Sequence, residues 1–305
     1  MRLVIVGSVA VDDVETPQGH RENSFGGSAV YASVAASKFT ECGIVGVVGD
    51  DYPEFICELL KGNRIDLAGL ERVPGKTFRW KGVYNDLNRA ETLDTQLNVF
   101  AEFSPKLPDI YLNPDILFLG NIHPQLQLDV ISKIGKAGLI ACDTMNFWIE
   151  STPDLLKEVV KKVDILFVNE DEIKQFTGKD NIYDAGDTIL GLGPKYVIIK
   201  RGEYGAIAYS KTLLFYSPVY PVRQVFDPTG AGDSFAGGFL GFLAKSRTIN
   251  DDFIKNAMFF GTATASVNIE SFSFDRLLET KFEEIVARVS KLYSLTALLK
   301  LEISN

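Results

Sequence analysis

The sequence predicts an α/β protein: a three-layer fold on a parallel sheet, with a small β lid to one side. Three observations predict it. Short apolar runs alternate with helical stretches along most of the chain, the rhythm of strands joined by crossover helices. Two segments in the first third break that rhythm and alternate with period two, as strands covered on one face do. One glycine turn, Asp227-Pro228-Thr229-Gly230-Ala231-Gly232-Asp233, joins an apolar run to an uncharged helical stretch.

The first strand is Leu3 to Val6, ending at Gly7-Ser8, with Asp12 and Asp13 close behind. A polar stretch from Glu15 to Asn23 carries the turn residues Pro17 and Gly19. Phe25-Gly26-Gly27-Ser28 opens a second glycine turn. Ala29 to Phe39 then reads as a helix of small residues, suited to close packing. Ile44 to Val48 is a strand, and Tyr52 to Lys61 a helix with Pro53 in its first turn. The alternating segments are Thr77 to Tyr84 and Leu93 to Val99. They define a lid from about residues 10–20 and 76–104. Trp80 reads either as the core of this lid or as a stacking residue for a ligand.

After Pro114 the α/β rhythm returns. Strands are expected at Ile116 to Leu119, Leu139 to Cys142, Ile165 to Val168 and Tyr196 to Lys200, with helices at Leu126 to Ala137 and Pro153 to Lys162. Ile207 to Tyr209 and Leu213 to Tyr216 suggest a hairpin edge. Tyr220 to Phe226 reads as a strand. Ser234 to Ala244, Phe253 to Val267 and Phe282 to Leu299 complete the set as helices.

Composition narrows the function. The chain has 305 residues, 46% hydrophobic and 23% charged, an ordinary globular balance read as one domain, 1–305. Net charge is −9. That argues against nucleic acid as a partner, because phosphate backbones need a basic surface. The odd, scattered cysteines Cys42, Cys57 and Cys142 fit reduced thiols in the cytoplasm. No window approaches the ~20 apolar residues of a membrane span, and Leu3 to Val11 reads as a strand rather than an export signal.

The glycine turn carries the chemistry. A helix N-terminus leaves its first N–H groups unpaired and holds anions, phosphate above all. Gly230 and Gly232 let the backbone approach the anion. Asp233 at the mouth is better placed to take a proton than to bind phosphate, and it also suits a helix cap. Strand-end polar residues, Asp12, Gly26-Gly27, Asp143, Asn146, Asn169, Glu172 and Gly202, share the C-terminal edge where open α/β sheets bind ligands.

Four blocks, in order, resemble the ribokinase (PfkB-type carbohydrate kinase) family. They are Gly26-Gly27 before its helix, Gly46-Val47-Val48-Gly49-Asp50-Asp51, Asn169 to Glu172, and Asp227 to Phe239. Together they span roughly residues 3 to 270. The resemblance implies a ribokinase-like fold and transfer of the γ-phosphoryl group of ATP to a hydroxyl of a sugar or polyol; a nucleoside kinase and a catalytically silent ligand binder are the alternatives. It makes Asp233 the general base and the backbone of Gly230, Ala231, Gly232 and Asp233 the anion hole. Asp12, Gly26, Gly27, Tyr31 and Asn146 would meet the acceptor. Lys200, Gly202, Gly205, Thr229, Gly230, Gly232 and Thr262 would line the nucleotide. Asn169 and Glu172 would stand near Mg²⁺, indirectly, and Asp227 near a monovalent cation such as K⁺. A homodimer through the lid is implied as well. The chain departs from the pattern at Ala10 and Tyr31, where ribokinases proper carry Asn, at Pro228, and at Thr262. Ala10 and Tyr31 put ribose itself in doubt as acceptor, Pro228 bears on the cation site, and Thr262 on the contact with the purine.

Overall fold

The computed structural model describes residues 1–297. In its first half the strands are β1 (Leu3–Val6), β2 (Ala10–Thr16), β3 (Gly19–Gly26), β4 (Cys42–Val48), β5 (Ile65–Arg72), β6 (Phe78–Asp86) and β7 (Arg89–Gln96), with helices α1 (Ser28–Ser37) and α2 (Glu54–Gly62). Then follow β8 (Ile116–Leu119), α3 (Pro124–Lys133), β9 (Leu139–Asp143), α4 (Asn146–Ser151), α5 (Pro153–Val160), β10 (Ile165–Asn169), α6 (Glu170–Thr177) and α7 (Ile182–Leu190). The last third holds β11 (Tyr196–Lys200), β12 (Ala206–Tyr209), β13 (Leu214–Ser217), α8 (Ala231–Ser246), α9 (Asp251–Asn268), α10 (Asp275–Glu279) and α11 (Phe282–Thr296).

A nine-stranded sheet runs β13-β12-β11-β10-β9-β8-β1-β4-β5. It is parallel from β11 to β5, and β12 and β13 add an antiparallel edge. Successive residues of a strand face opposite sides, so each central strand feeds two cores. Leu3, Ile5, Phe118 and Phe167 pack on one side with α1, α8 and α9. Val4, Val6, Leu117 and Leu166 pack on the other with α3, α5, α6 and α7. Continuous apolar strands are what such a doubly covered sheet requires. The small residues of α1 serve close packing: a Cβ on Gly237 of α8 would lie 2.2 Å from the Ala32 carbonyl oxygen.

A second, four-stranded sheet runs β3-β2-β6-β7. Here β2 pairs antiparallel with β3 and parallel with β6, and β6 pairs antiparallel with β7. This sheet, expected as the lid, is tied to the rest of the molecule by a set of hydrogen bonds and ion pairs, four of which bear on the site. Thr16 Oγ1 donates to the Phe226 carbonyl (2.8 Å), and Arg21 pairs with Asp275. Thr229 Oγ1 donates to the Tyr84 hydroxyl (3.2 Å). At the β6–β7 tip, Asn88 Oδ1 accepts from the Glu203 amide (3.3 Å).

Several expectations meet a different outcome. Tyr220 to Phe226 forms no strand. Pro221 lacks an N–H, and the segment is tied instead by isolated bonds, Phe226 N–H to the Ile269 carbonyl among them. The polar stretch Glu15 to Asn23 is mostly strand, because β3 pairs through its backbone with β2 while its side chains stay largely in water. The second alternating segment ends at Gln96, and a 3₁₀ turn follows from Asn98 to Glu102. β5 and α7 carried no expectation. The end of the helix expected to Leu299 lies outside the described residues. No helix among the described residues is long and apolar enough to cross a membrane, and the three cysteines are buried and free.

Candidate active site

The C-terminal rim of the sheet gathers the polar strand ends. At its centre is the start of α8. Gly230 precedes the helix with φ +73°, the left-handed region that favours glycine. A Cβ there would also strike the Tyr31 ring at 2.2 Å. Asp227 shapes the turn from behind. It is fully buried, and its two carboxylate oxygens accept from the Thr229 amide (2.8 Å) and the Ser273 amide (3.1 Å). Asn268 Nδ2 donates to the Thr229 carbonyl (2.9 Å) and fixes the turn from α9.

This bracing leaves donors aimed outward. The Ala231 amide turns back to the Pro228 carbonyl and the Ser234 amide to the Gly230 carbonyl. The amides of Gly232 and Asp233 lie between them, at the first turn of α8, with no partner carbonyl among the described residues. Lys200, from the end of β11, brings its Nζ within 3.2 Å of the point where a Cβ on Gly232 would stand. Two amides, a helix N-terminus and an ammonium make an anion pocket.

The carboxylates around it are electrostatically strained. Lys200 Nζ donates to Asp143 Oδ2 at 2.6 Å, and Asp143 is almost fully buried. Asp233 is pushed up to about 7, first by loss of hydration and then by the Asp143 carboxylate, with Lys200 opposing. Burial alone would pull Lys200 down, but Asp143, Glu172 and Asp233 outweigh it and hold its ammonium above the usual lysine range. Burial also raises Glu172, against the pull of Lys200. Glu172 and Asn169 form a capping box at the start of α6: Glu172 Oε2 accepts from the Asn169 amide (2.7 Å) and Asn169 Oδ1 from the Glu172 amide (2.8 Å). Among the described residues, no group of three or more His, Cys, Asp or Glu side chains has the geometry to hold a metal.

Across the crevice stands Asp12 of β2, 4% exposed. Burial first, then Asp227, Asp13 and Asp233, raise its carboxyl well above the usual range. Gly26 closes in on it: a Cβ there would lie 2.6 Å from Asp12 Oδ2 and 2.8 Å from Tyr31 Cε2. Gly27 caps α1. Tyr31 thus runs beneath both glycine turns, edge-on to Phe274, with its buried hydroxyl unpartnered. It is the floor between the two halves of the site rather than an exposed wall.

The other expected residues lie further out. Gly202 and Gly205 bound the short turn between β11 and β12, where Gly202 meets Asn88 of the lid. Thr262 of α9 shares a hydrogen bond with Ser217 of β13 (3.0 Å). Asn146 begins α4 and is exposed. Sequence left two pairings unseen. Asp143 stood among the strand-end residues of the ligand-binding edge, open between a substrate role and structure, and its partner Lys200 comes from 57 residues away. Tyr84 was one aromatic of an alternating strand, and only the lid's docking brings it to Thr229.

Comparison with known proteins identifies the family. Residues 2–281 match the model of the pfkB family carbohydrate kinase. A cytidine kinase of Thermococcus kodakarensis is 30% identical over 256 residues, 82% of this chain and 91% of that protein. The crystal structure of Methanocaldococcus jannaschii nucleoside kinase, an archaeal member of the ribokinase family, superposes with a TM-score of 0.77 at 20% identity, covering 95% of this chain and 99% of that one. A putative ribokinase II of E. coli, in complex with ATP and Mg²⁺, reaches 0.79 at 19% identity, over 95% and 99% of the two chains. The chain has the ribokinase-like fold, is a phosphotransferase with a hydroxyl acceptor, and belongs to the pfkB family of carbohydrate kinases.

Proposed function

We propose that the protein moves the γ-phosphoryl group of ATP to a primary hydroxyl of a small sugar or polyol, with Asp233 as general base. The observation that carries this reading is the first turn of α8. It presents amides at Gly232 and Asp233 with no carbonyl partner among the described residues, the Lys200 ammonium beside them, and a carboxylate whose pKa is pushed up to about 7.

Phosphoryl transfer asks for positioning and charge stabilisation more than for covalent chemistry. The acceptor hydroxyl enters between Asp12 and Asp233. Asp12 takes a second hydroxyl of the acceptor and orients it. Asp233 takes the proton of the attacking hydroxyl as its oxygen bonds to the γ-phosphorus and the bond to the β-phosphate oxygen breaks. The amides of Gly232 and Asp233 and the Lys200 ammonium face the charge that gathers on the phosphoryl oxygens. ATP lies toward the Gly202–Gly205 turn and Thr262. Mg²⁺, when bound, neutralises phosphate charge. Asn169 and Glu172 are tied into their capping box, which suits contact through the ion's retained waters. The monovalent cation would sit near Asp227. Both Asp227 oxygens already hold backbone amides, so its own contribution is to brace the turn. The fully exposed edge strand β7 is where a second copy would add to the lid.

A nucleoside acceptor is the second reading, favoured by the cytidine kinase relative. A coupled ADP-release screen over pentoses, hexoses, polyols and nucleosides separates the two. With the acceptor so found, Asp233→Asn is expected to lower kcat by about 10²- to 10⁴-fold. Near-wild-type turnover in that variant would remove Asp233 as base. ATP hydrolysis that no acceptor stimulates would count against both readings.

A further inference from the structure

Trp80 is the residue near the crevice that the proposed chemistry leaves unused. It sits on β6 directly beside Asp12, its register partner in the parallel β2–β6 pair. Register partners project from the same face of a sheet, as do residues two apart along one strand. Phe78, Trp80, Gly82 and Tyr84 therefore share a face with Ala10, Asp12 and Val14. Tyr84 touches Thr229 of the glycine turn, so this is the face that looks onto the crevice.

Three neighbours on that face are shut away from water, Val14 at 0%, Asp12 at 4% and Tyr84 at 8% exposure, and a fourth, Phe78, is half-buried with its ring stacked on Phe100. Trp80 remains half-exposed. Its position is nevertheless built. A Cβ on Gly82 would lie 2.1 Å from Trp80 Cη2 and 2.3 Å from Cζ2, so the indole crosses bare backbone that any other residue would block. The indole Nε1 donates to Thr92 Oγ1 at 3.1 Å, and Thr92 is the partner of Gly82 on β7. With its only donor satisfied, the indole offers a ligand nothing but a π surface. A large aromatic held in one orientation on a site-facing sheet, half bare beside a buried carboxylate, lacks an apolar cover.

We infer that Trp80 is the specificity residue for the acceptor, which stacks a planar ring on it, and that the acceptor is therefore a nucleoside. This rests on the kinase reading above and, of its two acceptors, takes the nucleoside over the free sugar or polyol. Neighbouring strands lie roughly 4.8 Å apart. A carboxylate for sugar hydroxyls and an aromatic surface one strand away match a sugar joined directly to a base. A free sugar or polyol would satisfy Asp12 and leave the indole bare.

The test uses the full chain and four nucleosides, cytidine, uridine, adenosine and guanosine, with ribose as the base-free control. The chain has two tryptophans, Trp80 and Trp148. Titration without ATP should quench the fluorescence of the wild type and of Trp148→Phe, and leave Trp80→Phe unquenched. In turnover, Trp80→Ala should raise KM for the preferred nucleoside by about 10-fold or more, with Trp80→Phe restoring most of it. KM for ATP should stay within about twofold, which a general loss of lid structure would not allow. Quenching unchanged in Trp80→Phe, a nucleoside KM unmoved in Trp80→Ala, or a preference for ribose over every nucleoside would each overturn the inference while the kinase reading stands. Absence of turnover with any acceptor would strike the kinase reading instead, and the ATP-free titration would still decide the stacking.

Discussion

Gly230, at the start of α8, and Gly202, in the turn after β11, rest on different supports, and both hold left-handed backbone, φ +73° and +54°. A side chain at Gly230 would meet the buried Tyr31 ring at 2.2 Å, pinned between the two glycine turns. A side chain at Gly202 would meet only the amide end of Asn88, on the exposed lid tip. One half of the site is thus cast into the core, with Asp227, Asn268 and Tyr31 all committed to holding one turn. The other half is closed by a sheet resting on a few bonds. The difference teaches where each function belongs. Charge stabilisation needs donors that do not move, which suits the packed half to the anion-hole role proposed for it. Entry and exit of ligands need a part that yields at small cost, which suits the smaller sheet to the lid role expected of it.

The sharpest way to break that comparison is to add the same methyl group to both glycines. Gly230→Ala combines left-handed strain with overpacking against Tyr31 and should cost about 2–5 kcal/mol of stability, together with most of kcat. Gly202→Ala carries the backbone strain alone, since Asn88 can swing away, and should cost about 1–2 kcal/mol. Urea unfolding with parallel turnover assays reads both. Equal costs would mean that the glycine turn is no more rigid than the lid contact.

A smaller effect comes from pH. Asp233 must be ionised to act as base and is held near 7, so kcat should fall about tenfold per unit as pH drops below 7. The sign for stability is opposite. An unfolded Asp ionises near 3.8 and the folded one near 7, so the folded state binds the extra proton between these values, and stability is lost as pH rises through 7. Asp233→Asn removes that loss. Its unfolding free energy should exceed the wild type's by about 1–2 kcal/mol at pH 8, with the gap narrowing toward pH 5. A variant less stable than wild type at pH 8 would show that the carboxylate contributes stability rather than strain.

The smallest effect is at the lid tip. Asn88→Ala deletes an exposed hydrogen bond and should change global stability by less than about 0.5 kcal/mol. Hydrogen exchange at the β6–β7 amides should rise, because a tip contact is gone. Unchanged exchange would mean that Asn88 does not hold the lid.

The two halves were also unequally legible in the sequence. Asp227 to Asp233 announced itself because helix start, glycines and carboxylate are neighbours in the chain. β3 was hidden because His20, Arg21, Glu22 and Asn23 carry no apolar pattern; its backbone pairing with β2 makes it a strand. Tyr220 to Phe226 misled in the opposite direction, being apolar without a partner strand. Tyr31 stood out as a departure from the family pattern, but nothing local said that it lies under Gly230.

The sequence by itself determined the layered α/β architecture, the glycine turn proposed to hold phosphate and the candidate base, since each is written in local periodicity or contiguous residues. Only the tertiary structure decided the ion pair of Lys200 with Asp143, the bracing of Asp227 by Ser273, and the placing of Trp80 beside Asp12. Those pairings join segments tens of residues apart. Their partners are chosen by sheet order and strand register, which no short stretch of chain encodes.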